Sequence, residues 1–123
     1  MKLFILLFAV FTVTSSADSC QKNKGNLLKG RLEIKGICSN YTIALLEGEV
    51  DTSLISTTWT DENAGKGYKN VFGLGNPCSF PDSLKQGSEF YFSIDTSKQE
   101  DCIVCMAYYP TPPKKLNIKV VNK

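Results

Sequence analysis

The sequence predicts an all-β fold: a two-sheet sandwich of about seven short antiparallel strands, stapled by disulfides. Three observations predict it. Apolar and polar residues alternate over several short segments, polar stretches rich in Gly, Pro, Asn and Asp separate these segments, and the chain carries five cysteines in 123 residues. No long window shows the period of an amphipathic helix, so helices are not expected to form the core.

The N-terminus has the layout of a secretory signal peptide. One basic residue precedes a continuous apolar run over 3–11, and the small residues Ser15 and Ala17 suit the signal peptidase. The run is about half the ~20 residues that a membrane-spanning helix needs. We therefore predict a signal peptide at 1–17 and a single secreted, extracellular domain at 18–123, without a membrane span.

The charge of the mature chain is nearly balanced. It carries 13 basic and 12 acidic residues, because one of the 14 lysines and arginines lies in the leader. Nucleic-acid binding needs a dense basic surface that displaces counterions, so this balance argues against a nucleic acid as partner.

The clearest strand is predicted at 28–36. Leu28, Leu32 and Ile34 share one parity along it and the charged residues share the other, as expected for a strand with one face in water. Alternation, together with β-branched and aromatic content, predicts the other strands at 41–46, 54–60, 68–72, 90–94, 102–108 and 116–120. The side chains expected in the core include Leu32, Ile34, Ile43, Leu45, Phe90, Phe92, Leu116 and Ile118. Those expected in water include Lys29, Arg31, Lys115 and Lys119.

The cysteines all follow the leader, so they meet an oxidising compartment and are predicted to form disulfides. They are Cys20, Cys38, Cys78, Cys102 and Cys105. Spacing leaves the connectivity open. We favour Cys20 with Cys38, and expect Cys78 to pair with one of the last two cysteines. The odd cysteine would stay free or join two chains into a dimer.

The pair Cys102 and Cys105 is expected to have two different fates. Residues three apart on a strand point to opposite faces, so a direct bridge between them is disfavoured. Their spacing also suits zinc, but structural zinc sites need a second such pair or histidines, and the chain has no histidine. A redox motif would begin a helix rather than lie in a β-branched run. We predict no metal and no cofactor.

The residue types argue against catalysis. Without histidine, Ser-His-Asp and Cys-His arrangements cannot form within the chain. The carboxylates cluster in polar stretches that are typical of solvated loops, and no pair is indicated across a cleft. We therefore predict a protein that is not an enzyme.

Two short stretches are candidates for modification or contact. Asn40-Tyr41-Thr42 matches the acceptor pattern for N-glycosylation, with Asn40 as the glycosylation candidate. A proline-rich stretch further on must be stiff and extended, and tyrosines beside it offer contact area at low entropy cost. Its binding-loop candidates are Tyr108, Tyr109, Pro110, Pro112 and Pro113. The alternative role for this stretch is a rigid connector between strands.

Several motifs between 30 and 73 carry a family resemblance. Gly30-Arg31-Leu32, the stretch from Ile43 to Glu47, and the turn beginning at Thr60-Asp61 resemble the nematode transthyretin-like family over about half of the mature chain. That resemblance implies a secreted sandwich of seven to eight strands. It does not settle the function, since extracellular binding is only proposed for that family. A fainter likeness joins Cys78-Ser79-Phe80-Pro81 and Phe90-Tyr91-Phe92 to the ML lipid-recognition family. Both likenesses imply a two-sheet sandwich of the transthyretin-like or immunoglobulin-like kind.

Three functions are compatible with these features. The first is a non-catalytic extracellular binding module that acts on another protein through loops and sheet edges. The second is a carrier of a small apolar ligand or lipid between the sheets, which needs an enclosed cavity of roughly 300 Å³ or more. The third is a protease inhibitor that presents the loop 109–113. The expected partner is thus an extracellular protein or a small apolar ligand.

Overall fold

The structure, a computed structural model, describes residues 27–99 and 102–122 and is all-β, which confirms the predicted fold class. Its strands are β1 Leu28–Lys35, β2 Tyr41–Glu47, β3 Ser56–Asp61, β4 Lys66–Leu74, β5 Glu89–Ile94, β6 Lys115–Leu116 and β7 Ile118–Val121. Short 3₁₀ turns lie at Ile37–Ser39, Thr52–Leu54 and Pro77–Ser79. The predicted signal peptide and Cys20 lie outside the described residues.

All seven strands belong to one hydrogen-bonded sheet, where the sequence predicted two. The order is β3-β4-β2-β1-β5-β7 with antiparallel pairing, and β6 pairs with β4 in parallel. From β4 the sheet continues through β2, β1 and β5 to β7. Only Asn117 separates β7 from β6, and β6 pairs with β4, so the sheet returns to the strand from which it started. The sheet therefore curls, and its opposite halves cover a common core.

Contacts across the interior demonstrate the curl. Phe72 on β4 and Phe92 on β5 lie with ring centroids 5.8 Å apart, although β2 and β1 separate their strands in the sheet. Gly30 on β1 points into the same space, where a Cβ atom would lie 2.9 Å from the Phe92 ring and 3.1 Å from Ile43. A side chain at this position would displace the aromatic core, which explains a glycine at an inward-facing position.

Alternation predicted the core well. Of the eight side chains assigned to it, seven are buried and Leu45 is half-buried against the same cluster. Lys115 and Lys119 are exposed as expected. Lys29 and Arg31 are half-buried on the outer face, because both ion-pair with Glu89 on β5, at 3.3 and 3.8 Å.

The strand predicted at 102–108 is wrong. From 102 to 112 the chain forms no strand, helix or turn, and every residue from 102 to 108 is exposed. The β-branched run predicted a strand from composition, but Cys102 and Cys105 are bridged to the loops at Cys78 and Cys38, and the run pairs with no strand of the described sheet. The parity argument for Cys102 and Cys105 fails with the strand.

Candidate functional site

A segment after β5 carries four of the six exposed large apolar side chains of the described chain. We name residues 102–108 the strap. Ile103 and Met106 are 102% and 95% exposed, Tyr108 is 80% exposed and Val104 is 41% exposed. Single exposed apolar residues are ordinary, but four within seven residues form a patch of the kind that marks a contact surface.

The first anchor of the strap is a disulfide between Cys102 and Cys78, whose Cα atoms are 6.1 Å apart. This pairing is one of the two that the sequence predicted for Cys78. The loop that carries Cys78 is fixed by the buried side chain of Asn76, which donates to the Ile118 carbonyl and accepts from the Ile118 N–H, both at 2.8 Å. The anchor is therefore tied to β7.

The second anchor is a disulfide between Cys105 and Cys38, so the predicted bridge from Cys38 to Cys20 is wrong. Cys38 lies between β1 and β2 in a tight turn, where it and Ser39 adopt left-handed φ values of 55° and 63°. This turn brings the Cα of Cys38 to 5.0 Å from that of Cys105, inside the range that a disulfide requires. The partners are 67 residues apart, so no local pattern could indicate the pairing.

The side chain of Asn40 forms a third hold on the strap. Its Nδ2 donates to the carbonyl of Ile37 at 2.8 Å and to the carbonyl of Ala107 at 2.9 Å. Glycosylation would replace one of the two hydrogens of this nitrogen, so it would remove one of these bonds. Glycosylation of Asn40 stays a prediction, and the structure gives the residue a further role as a clamp.

A fourth hold follows immediately after the strap. The Tyr109 hydroxyl donates to Oδ2 of Asp61 at 2.7 Å, and Asp61 is only 1% exposed at the end of β3. Because the hydroxyl donates to a carboxylate, the pKa of Tyr109 lies above its usual value, and partial burial and the charge of Asp61 act in the same direction. The Tyr109 ring lies over Gly36, where a Cβ atom would be 3.1 Å from the ring.

The proline-rich binding-loop candidates divide into two groups. Pro112 is buried and Tyr109 and Pro110 are half-buried, so these three attach the chain to the domain. Tyr108 and Pro113 remain exposed. The contact surface suggested by exposure therefore lies mostly before the prolines, in residues that sequence patterning assigned to a strand.

Most of the backbone of the strap also lacks hydrogen bonds. Within the described ranges, 27–99 and 102–122, no hydrogen bond involves the N–H or C=O groups from Cys102 to Met106. Exposed, unpaired backbone can pair with a strand of another protein. The strap thus offers both apolar side chains and peptide groups.

A depression of about 550 Å³ lies beside the first anchor. Asn76, Ser79, Lys98 and Gln99 contribute polar groups to it, and Val104 of the strap lines one side. It opens to solvent on the surface of the domain. The space inside the curled sheet is occupied by side chains such as Phe72, Phe92 and Leu32, each at most 1% exposed.

Comparisons with known proteins identify no relative. No family model, no curated protein and no solved structure matches the chain. The likenesses to the transthyretin-like and ML families therefore stay predictions from sequence. Within the described part of the chain, no helix has the length and apolar character to cross a membrane, and no three metal-binding side chains cluster.

Proposed function

We propose that the protein is a non-catalytic extracellular module that binds another protein through the strap. The observation that carries the proposal is the exposure of Ile103, Val104, Met106 and Tyr108 on a segment that is anchored at both ends. Burying a large apolar side chain contributes about 1.5–3 kcal/mol, so a partner that covers this patch gains substantially from the contact.

The anchors make this surface suited to binding. A free loop loses conformational entropy when a partner orders it, which weakens binding. Here the disulfides at Cys102 and Cys105, the Asn40 clamp and the Tyr109 hydrogen bond restrict the segment beforehand. Pre-organisation of this kind lowers the cost of association.

The two disulfides also support an extracellular setting. Disulfides persist in oxidising compartments and are rare in the reducing cytosol. The bridges at Cys38 and Cys78 hold the strap in place, so the proposed contact surface depends on an oxidising environment. This dependence agrees with the signal peptide predicted at 1–17.

The carrier function has less support. A carrier needs an enclosed, mostly apolar cavity, whereas the depression beside Cys78 is open and partly polar. The interior that a ligand would occupy between two sheets is filled by the aromatic cluster of Phe72, Phe90 and Phe92.

Site-specific photocrosslinking tests the proposal. A benzophenone amino acid is placed at Met106, or at the exposed Lys119 on β7 as a matched control, and the oxidised protein is exposed to extracellular fluid of its source. We expect a discrete crosslinked species from position 106 and none from 119. Excess wild-type protein should suppress it, whereas an I103D/Y108D variant with an unchanged melting temperature should not. Equal crosslinking from both positions, or suppression by the variant, would contradict the proposal.

A further inference from the structure

We propose that the partner is a serine protease with an apolar specificity pocket, and that the strap enters its active site as an inhibitory loop with the peptide bond between Met106 and Ala107 at the reacting position. This inference rests on the proposed function, because it takes the strap as the contact surface. It names the class of partner and the bond that is presented.

The restraints on the residues beside Met106 single out the bond between Met106 and Ala107. Met106 is 95% exposed, and the residues on both sides of it are fixed: Cys105 by its bridge to Cys38, and Ala107 through its carbonyl by Asn40 at 2.9 Å. Ile103 has a hold on one side only, at Cys102. Met106 is thus a fully accessible side chain in the middle of a short, doubly restrained stretch.

The next exposed side chain, Tyr108, is a poorer candidate. The residue after it, Tyr109, lies against Gly36 and donates to Asp61, so that side of the bond is held against the domain. A protease must surround the chain on both sides of the bond. Ala107 is small and exposed, and it leaves this space open after Met106.

The backbone around Met106 suits the cleft of a protease. Substrates bind in such clefts as an added strand, through their main-chain N–H and C=O groups. Val104 and Met106 make no hydrogen bonds within the described chain, so their peptide groups are available. The alternate residue, Cys105, points to its disulfide and restrains the strand from the domain side.

The side chain of Met106 indicates the specificity. Serine proteases choose the residue before the cleaved bond by the chemistry of one pocket, an apolar slot in chymotrypsin and an aspartate in trypsin. Methionine is apolar, unbranched and flexible, so it fills an apolar slot. A chymotrypsin-like pocket is therefore the expected class.

The restraints also explain why the protease would be inhibited rather than merely supplied with a substrate. In the first step the protease serine attacks the Met106 carbonyl carbon, the bond to the Ala107 nitrogen breaks, and that nitrogen takes the proton from the protease histidine. The products are an acyl-enzyme at Met106 and a free amine at Ala107. From an ordinary substrate the amine departs, and water then hydrolyses the ester.

In this protein the amine cannot depart readily. Ala107 remains held by Asn40, and the chain that follows is fixed by Tyr109 and by β6 and β7, which are paired in the sheet. The acyl side remains held by the bridge from Cys105 to Cys38. A confined amine has a high effective concentration at the ester, so the peptide bond reforms faster than water reacts.

Inhibition of two proteases by the full, oxidised protein tests the proposal. Hydrolysis of a chromogenic peptide by chymotrypsin should be inhibited, with slow cleavage between Met106 and Ala107 that adds the mass of one water. Met106→Asp should weaken inhibition by at least about 30-fold, as for an interface hot spot. Met106→Lys should transfer inhibition to trypsin. The matched control Leu54→Lys changes an exposed apolar residue outside the strap and should neither lose chymotrypsin nor gain trypsin inhibition.

Three results would overturn the inference: rapid cleavage without inhibition, a reacting bond elsewhere such as after Tyr108, or equal effects of lysine at 54 and 106. A failure of the protease inference can be distinguished from a failure of the proposed function. If proteases of both specificities are unaffected while crosslinking from position 106 persists, the strap binds a protein of another class and only the protease inference fails.

Discussion

β1 and the strap are both predicted to be strands from sequence, and they have opposite fates. In β1, Leu28–Lys35, charged residues alternate with apolar ones, and the strand pairs with β2 on one edge and β5 on the other. The strap has no alternation of charge, it pairs with no strand among the described residues, and its apolar side chains face water. The difference teaches that apolar, β-branched composition alone does not make a strand. β1 has a backbone partner on both edges, whereas the strap is tied to loops by its cysteines.

The two regions are also held by different forces. β1 is fixed by main-chain ladders and by burial of one face against the core cluster. The strap is fixed by two disulfides and one side-chain hydrogen bond from Asn40, with a further bond at Tyr109 just beyond it. Substitutions can therefore damage the sheet or release the strap separately.

The largest expected effect is the difference in stability between a substitution in the core and one in the strap. Phe92→Ala removes a fully buried ring that contacts Phe72 and Phe90, and should lower the free energy of unfolding by about 3–5 kcal/mol. Met106→Ala removes a side chain in water, and should change it by no more than about 0.5 kcal/mol. Denaturant unfolding of both variants measures the contrast, and comparable losses would mean that the strap belongs to the core.

The disulfides come next. Replacing both Cys38 and Cys105 by serine opens a bridge that spans 67 residues, and replacing Cys78 and Cys102 opens one that spans 24. Each change should cost about 2–5 kcal/mol, and the wider bridge about 1 kcal/mol more, because a longer loop leaves more entropy in the unfolded chain. Unfolding under non-reducing conditions gives both values. The reverse order would contradict the entropic account.

Asn40 should have an intermediate effect, which a neighbouring residue can separate from glycosylation. Asn40→Ala removes two hydrogen bonds and should cost about 1–3 kcal/mol. Thr42→Val also destroys the glycosylation pattern but keeps both bonds, and it replaces a fully buried hydroxyl that has no hydrogen-bond partner in the described structure. It should leave stability unchanged or raise it by about 1 kcal/mol.

The comparison is made on unglycosylated protein and then on protein from a secreting host, where mass reports whether a glycan is attached. If the two variants lose stability equally, the clamp makes no contribution. If only Asn40→Ala loses stability, and it is also cleaved faster by chymotrypsin, the clamp holds the strap at Ala107.

The sheet could be predicted from sequence far better than the site. Alternation at Leu32, Ile34, Phe90 and Phe92 reflects a local rule, because successive side chains of a strand face opposite ways wherever the strand lies. Closure of the sheet through β6 depends on pairing between distant strands, and no local pattern records it. The sequence therefore predicted correctly which side chains face inward, but it predicted two sheets where the structure has one.

The strap escaped prediction for a related reason. Exposure of Ile103 and Met106 follows from bridges to Cys38 and Cys78, whose positions depend on the whole fold. One local signal was available: prolines at 110, 112 and 113 limit how far a preceding strand can continue into the sheet. Together with two cysteines three residues apart, these prolines are as compatible with an irregular segment held by disulfides as with a strand.

The smallest expected effect concerns pH at the end of the strap. The pKa of Tyr109 is raised, chiefly by its hydrogen bond to Asp61, so the folded protein holds this proton more tightly than the unfolded chain. The stability that this pKa shift contributes is complete below the ordinary phenol pKa of about 10. It is lost as the pH rises through the pKa of Tyr109 in the folded protein. Tyr109→Phe should therefore lower stability near neutral pH and flatten the decline above pH ~10.

A second tyrosine provides the internal comparison. The pKa of Tyr68 on β4 is also raised, first by burial and then by the charges of Glu33 and Asp61, so some decline should survive in Tyr109→Phe. Asp61→Asn keeps an acceptor for the Tyr109 hydroxyl and removes only a charge that acts less on the pKa of Tyr109 than the hydrogen bond does, and less on the pKa of Tyr68 than burial does. It should therefore flatten the curve less than Tyr109→Phe does. Unfolding is followed by urea titration at each pH in a Cys20→Ser background, which removes the cysteine outside the two bridges and prevents exchange at alkaline pH. A Tyr109→Phe curve parallel to that of the parent would show that the hydroxyl of Tyr109 does not bind Asp61 in solution, and the strap would then depend on its disulfides and Asn40 alone.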